Sequence, residues 1–278
     1  MGVMPRQDPP PSVSGPPPGT EARPPHPWRG FAWLAARECL RVSKLWTQTM
    51  LAPVISSILF IVVFGLSLGS RIREVSSFPY EEFLVPGLIA MAMAQAAYSN
   101  NSSSIFQARS DRYINDVLAA PMHPWQVHAG YALGGAFRAL VIGLALGALA
   151  LPLTGVPVER PLALVGAVLL LVALFGALGV IVGIYAETFD HHTFVNNIVI
   201  LPLTFVGGVF YSVDVLPSPW EELSHANPVF YMVNAVRYGF LGTSDAAAGL
   251  CFAVTAAIAL AAIAWSQALF STGRRLKP

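Results

Sequence analysis

Apolar residues run in six blocks along this chain, at about 46–68, 83–104, 128–151, 162–185, 194–210 and 247–270. Each is long enough, at about 1.5 Å of helical rise per residue, to cross a hydrocarbon layer about 30 Å thick. Between the blocks the pattern changes. In "WRGFAWLAARECLRVSKLW", Trp28, Phe31, Leu34, Ala35 and Val42 recur near helical spacing, while Arg29, Arg37, Glu38, Arg41 and Lys44 supply a polar side. This predicts an amphipathic helix. Its abutment to the first block favours a place in the membrane surface, with Trp28, Arg37, Arg41 and Lys44 at headgroup level, over a soluble helix.

A second interruption, "ARSDRYINDVLAAPMHPWQ", carries Arg109, Asp111, Arg112 and Asp116. Helical projection from Arg109 sets Arg112, Tyr113 and Asp116 apart from an apolar side of Ile114, Val117 and Leu118, with Pro121 closing the helix. Periodicity alone fits either a helix lying on lipid or one seated in a groove of a soluble protein. A third, at about 211–246, is too broken by Pro, Glu and Asn to span. It predicts short helices starting after Pro217 and Pro219 and again after Asn227-Pro228, dipping into the outer leaflet.

Composition sharpens the class. The chain is 55% apolar and 11% charged, whereas soluble domains carry about 25% charged residues. The fold class is an all-α integral membrane protein with six transmembrane helices, since only helices or closed barrels satisfy the backbone in lipid. Residues 1–27 hold ten of the 23 prolines and no apolar run, so they read as a disordered proline-rich tail rather than a signal peptide. Residues 28–278 form one transmembrane domain.

Charge sets the orientation. With both termini inside, the inner segments hold Arg6, Arg23, Arg29, Arg37, Arg41, Lys44, Arg109, Arg112, Arg274, Arg275 and Lys277; the outer ones hold Arg71, Arg73, Arg160 and Arg237. That bias puts both termini and the 105–126 stretch in the cytoplasm.

Candidate chemistry is sparse. The two lysines, Lys44 and Lys277, lie in no phosphate-binding loop, so the chain does not hydrolyse ATP itself. No hydrolase elbow or zinc-protease motif occurs, and the adjacent His191 and His192 do not share a helix face. No block has an internal Asp or Glu, which opposes an ion-coupled carrier or channel, the alternative reading. Arg138 lies within the third block, either as a functional intramembrane ion or as a residue reaching toward the interface. Gly134-Gly135 and Gly207-Gly208 predict close helix approach.

Three stretches, "YEEFLVPGLIAM", "RYINDVLAAPMHPWQVHAGY" and "PLTFVGGVFYSVDVLPSPWEELSHANPVFYMVNAVRYGFLG", resemble the ABC-2-type permeases, the membrane subunits of bacterial type V ABC exporters. The family includes the daunorubicin- and nodulation-factor-exporter permeases and the YadH-type inner-membrane permeases. The resemblance covers about residues 28 to 275. It implies six spans, a connecting helix before the first and short extracellular helices before the last. It also implies a dimer with a second copy or a related permease, and two separate P-loop ATPase subunits that bind ATP and Mg. Carried over by position, Arg109 to Leu118, with Asp111, Arg112, Tyr113 and Asp116, becomes the helix that contacts the ATPase. Tyr98, Asn101, Phe205 and Phe210 become candidate lining of the translocation path. Tyr211, Pro228, Tyr231 and Arg237 fall in the extracellular gate. The residue spacing predicts no metal site; no cofactor on this chain and no nucleic-acid partner are expected, and the resemblance implies a place in the bacterial cytoplasmic membrane.

Overall fold

The computed structural model describes residues 27–69, 74–75, 78–273 and 275–276. The expected proline-rich tail lies, apart from Pro27, outside the described residues. So do Arg6, Arg23, Arg71, Arg73, Arg274 and Lys277 of the charge pattern.

Helix α1 (Pro27–Lys44) leads through a π-helical turn, Thr47–Leu51, into α2 (Ala52–Gly69). Strands β1 (Glu74–Val75) and β2 (Phe78–Pro79) pair antiparallel and deliver the chain to α3 (Tyr80–Ser110). A short α4 (Ile114–Ala119) separates α3 from α5 (Pro124–Thr154), and α6 (Pro161–Tyr185) follows. Next, α7 (Phe189–Phe194), a π-helical turn Val195–Ile200 and α8 (Leu201–Val206) form one unbroken helical stretch. After a 3-10 turn at Val213–Val215 come α9 (Ser218–Ala226), α10 (Pro228–Leu241) and α11 (Ala248–Thr272). The helix starts expected near Pro217 and Pro228 are those of α9 and α10. Asn227 caps α10, its side-chain oxygen accepting from the Val229 N–H at 3.0 Å.

Among the described residues, four segments are long and apolar enough to cross a membrane by length and composition: Thr47–Gly65, Pro124–Thr154, Pro161–Tyr185 and Ala248–Thr272. The second and fifth apolar blocks are helical but differ. Helix α3 overruns the expected 83–104 at both ends and buries Asn100, Asn101, Ser102 and Ser104. The fifth block stops being helical at Val206, because Gly208 adopts a left-handed φ of 78° and turns the chain.

Helix α3 is the central post, packed against α2, α5, α6 and α10. Its closest partner is α6, through Gly176, Gly179 and Gly183. Spacings of three and four put these glycines on one face. A methyl group on Gly183 would sit 2.6 Å from the Ser102 carbonyl oxygen. The two backbones therefore touch directly. Gly134 and Gly135 of α5 do the expected close-approach work: a Cβ on Gly134 would lie 2.7 Å from the Glu38 Cβ, and one on Gly135 would overlap Asn101. Large apolar side chains such as Leu59, Leu144, Leu162 and Leu260 point outward, as a lipid-facing surface requires.

Candidate functional site

At one end of the bundle the chain folds α1 against the α3–α4–α5 connection. Gly30 leaves room for Met122, whose side chain would lie 2.9 Å from an added Cβ. Trp28 meets Trp125 edge-on at 5.6 Å, and the Arg37 guanidinium lies 4.3 Å from the Tyr113 ring centre. The single helix expected from Arg109 to Leu118 is not formed. Arg109 belongs to the last turn of α3, Asp111 ends that helix, and Arg112 has a left-handed φ of 63°. Helix α4 starts only at Ile114, so Arg109 and Asp116 share no helical face. Arg109 is turned toward α6 and away from α4. Its Nη1 donates to the carbonyl oxygens of Gly183 (3.3 Å) and Ala186 (3.0 Å), satisfying the C-terminal end of α6. Asp111, Arg112, Asn115 and Asp116 are exposed, Tyr113 and Leu118 are half-buried, and Ile114 is wholly buried. The segment is thus a polar knuckle on an apolar pin, braced by α1.

The polar side expected for α1 needs a second correction. Trp28, Arg37 and Lys44 are exposed, but Glu38 faces inward and is fully buried. Leu34, Glu38 and Val42 form one row at i, i+4, i+8, and the row packs on α5. Glu38 Oε2 accepts from Ser104 Oγ (2.7 Å) and from Arg41 Nη2 (3.1 Å) and Nε (3.2 Å). Arg41 Nη2 also donates to Asn100 Oδ1 at 3.0 Å. Asn101 Nδ2 in turn donates to the Gly176 carbonyl at 3.1 Å. One hydrogen-bonded line therefore runs from α1 through α3 to α6.

A cavity of about 470 Å³ lies between α2, α3, α5 and the 195–206 stretch. Of the four residues expected to line a path, Phe205 lines this cavity. Phe210 is not in the lining but stacks on Phe205 at 4.9 Å and meets Phe64 at 5.5 Å. Tyr98 and Asn101 do not line it. Both point into the packed interior, Tyr98 donating to the His192 carbonyl at 3.0 Å and Asn101 to Gly176. The α3 residues that do face the cavity are Leu88, Met91, Ala92, Gln95, Ala96 and Ser99. Arg138 joins them from the middle of α5. Its Nε donates to the Thr49 carbonyl at 3.0 Å. Pro53 has no N–H to serve that carbonyl in an α-helix, so the arginine takes over the missing donor's place.

At the opposite end, Arg237 is buried rather than a loop charge. Its Nη2 donates to the Gly208 carbonyl (2.6 Å), its Nη1 lies 3.5 Å from Asp245, and its guanidinium sits 3.9 Å from the Phe83 ring centre. Tyr231 donates to the His225 carbonyl at 2.9 Å, Tyr211 is half-exposed, and Pro228 starts α10. Nearby Asp214 is held above the usual carboxylate range by partial burial and by the charges of Asp245 and Glu221. Arg237 ties α3, the Gly207-Gly208 turn and α10 together.

The described residues thus form a helical bundle with apolar outer walls, a cavity of mixed polar and apolar lining and a polar knuckle at one end. The ABC-2 type transporter family model matches residues 29–241, and the chain belongs to that family. It is similar to the inner membrane transport permease YadH of Escherichia coli (strain K12), 38% identical over 252 residues, covering 90% of this chain and 98% of that protein. It is also similar to nodulation protein J of Rhizobium leguminosarum bv. viciae, 24% identical over 219 residues, with coverages of 78% and 85%. Nodulation protein J of Rhizobium meliloti (strain 1021) is 23% identical over 255 residues, with coverages of 91% and 97%. The chain is a multi-pass inner-membrane transport permease of the ABC-2 type.

Proposed function

We propose that this permease is the non-catalytic membrane subunit of an ATP-driven exporter in the bacterial cytoplasmic membrane. It crosses the membrane six times with both termini in the cytoplasm, and it pairs with a second copy or a related permease. Two separate P-loop ATPase subunits, carrying ATP and Mg, supply the energy, and the cargo is a hydrophobic, lipid-like, drug or glycan molecule. Family membership and the absence of a phosphate-binding loop in this chain support the division of labour. The observation that carries the coupling is the α3–α4 knuckle. Its exposed Asp111, Arg112 and Asp116 offer charged contacts to a soluble partner, while Ile114 and the Arg37–Tyr113 contact root it in the bundle. A push on the knuckle then travels through α1 to the Glu38–Arg41 line, and through Arg109 to the end of α6.

Affinity purification of the detergent-solubilised chain from its own host tests the assembly, with a P-loop ATPase expected to co-purify. The double variant Arg112→Glu, Asp116→Lys is expected to keep the bundle folded while ATP hydrolysis no longer drives export. Normal coupling in that variant removes the knuckle from the mechanism. Export by the purified chain in ATP-free liposomes driven by an ion gradient would replace this reading with an ion-coupled carrier.

A further inference from the structure

The cavity holds an uncompensated charge that packing does not explain. Arg138 uses Nε for the Thr49 carbonyl, and its two terminal nitrogens meet no acceptor among the described residues and are not sealed from the cavity. The two ion pairs of the described residues are Glu38–Arg41 and Asp245–Arg237, so neither carboxylate serves Arg138. A guanidinium at mid-helix in a membrane span is costly unless something pairs with it. Two further groups around the same space are unpaired. The Gln95 Nε2 donor and the Asn196 Oδ1 acceptor are both buried with no partner among the described residues. Gln48, Ser56, Ser57 and Ser99 complete the polar lining, and Phe60 and Phe205 are the aromatic part of the apolar one.

The geometry points to a binding site for an amphiphile whose anionic phosphoester carries a neighbouring hydroxyl. The planar guanidinium takes two oxygens of a phosphate in parallel, a pairing that a lone ammonium does not reproduce. The tips of Gln95 and Asn196 are sealed behind the lining, and a side-chain turn at each lets the Gln95 amide donate to the same oxyanion and Asn196 accept from a hydroxyl beside the phosphate. The apolar part of the ligand lies along Phe60 and Phe205. The volume, about 470 Å³, holds a headgroup with the start of its chains. This inference rests on the exporter reading for its purpose, since such a ligand would be a cargo or its competitor. The existence of the site does not depend on an ATPase partner.

The test uses the purified full chain in nanodiscs of phosphatidylcholine containing a minor fraction of phosphatidylglycerol. Lipid retained after transfer to detergent is identified by native mass spectrometry. The wild type is expected to retain phosphatidylglycerol about ten- to a hundredfold more strongly than phosphatidylcholine, whose identical phosphate carries a choline cation that Arg138 repels and no hydroxyl for Asn196. Arg138→Gln should abolish the preference and Arg138→Lys should keep part of it. Because Arg138 also holds the turn before α2, Gln95→Leu serves as a second variant that leaves the Thr49 bond intact, and it should weaken retention several-fold. Added glycerol phosphate separates the sources. Displacement of the lipid shows that the headgroup alone is recognised, and resistance shows that the chains are needed; both support the site. Equal retention of the two lipids by wild type, or an unchanged preference in folded Arg138→Gln and Gln95→Leu proteins, overturns the inference. Co-purification of an ATPase is independent of either result, so failure here leaves the exporter reading standing.

Discussion

Glu38→Gln keeps the shape of the side chain and removes its charge from the line joining α1 to α3. In the wild type, Glu38 Oε2 holds Ser104 at 2.7 Å and Arg41 through two nitrogens at 3.1 and 3.2 Å. Removing one partner of a fully buried ion pair costs about 3–5 kcal/mol, whereas an exposed pair is worth about 0–1 kcal/mol. Glu38 is 0% exposed but Arg41 is 23% exposed and keeps Asn100 as an acceptor. The expected loss therefore falls between these limits, at about 2–3 kcal/mol. For a chain of this size that corresponds to a fall in Tm of roughly 4–12 °C. Thermal unfolding in detergent, followed by tryptophan emission, reads it directly, because Trp28 and Trp125 lie in contact across the α1–α5 junction. Arg41→Leu alone should also destabilise. The double variant Glu38→Gln, Arg41→Leu should lose less than the sum of the two single losses, since it leaves no charge unpaired. A Glu38→Gln protein that melts with the wild type, or strictly additive losses in the cycle, would refute the view that this pair fastens α1 to the bundle.

Gly183→Ala is expected to cost about 1–3 kcal/mol, because its methyl would meet the Ser102 backbone rather than a side chain that could swing aside; the same melt reads it, and a neutral result would mean that α3 and α6 slide apart freely. Arg112→Gly should raise stability by about 1 kcal/mol by relieving the left-handed backbone, while an export assay shows whether the lost charge mattered. Asp245→Asn should cost about 3 kcal/mol by leaving Arg237 buried without its counter-charge, detectable as faster amide exchange in α10. Asp214→Asn should firm the region around α9 slightly at neutral pH. Asp214 has a raised folded-state pKa, so the wild type gains stability as pH falls and the carboxylate protonates; the difference between the proteins should vanish in acid, and a difference that widens there would show the wrong sign.

The apolar blocks marked α2, α3, α5, α6 and α11, the amphipathic pattern marked α1, and the prolines at 217, 219 and 228 marked α9 and α10, because these signals are local. What failed was local reasoning applied to residues with distant partners. Arg109 read as the start of a surface helix, since nothing near it announces that the end of α6 needs its donors. The break at Arg112 had no glycine or asparagine to signal it. Tyr98 and Asn101 come to the path only by position from the resemblance, and a helix buried on several faces, as α3 is, shows no periodicity that selects one face. Two further signals are legible in the spacing. Glu38 sits at i+4 from both Leu34 and Val42, so it belongs to the buried row on spacing alone. Gly176, Gly179 and Gly183 follow the same helical arithmetic. The meeting of Arg138 with Thr49 needed the fold, because only the fold brings α5 beside the turn whose carbonyl Pro53 leaves unserved.

Both π-helical turns line the same space: Gln48 comes from Thr47–Leu51 and Asn196 from Val195–Ile200. Each turn holds one residue more than an α-helical turn, and that residue is a stored register step. Reabsorbing it would rotate the helix beyond by about 100°, one residue's share of a 3.6-residue turn. On the far side, α3 is held to α6 backbone against backbone and has no such slack. Of the chamber's four walls, α3 is thus fixed, while the α2 and 195–206 walls each carry a stored register step. A permease built this way can alter what its interior binds without separating its helices.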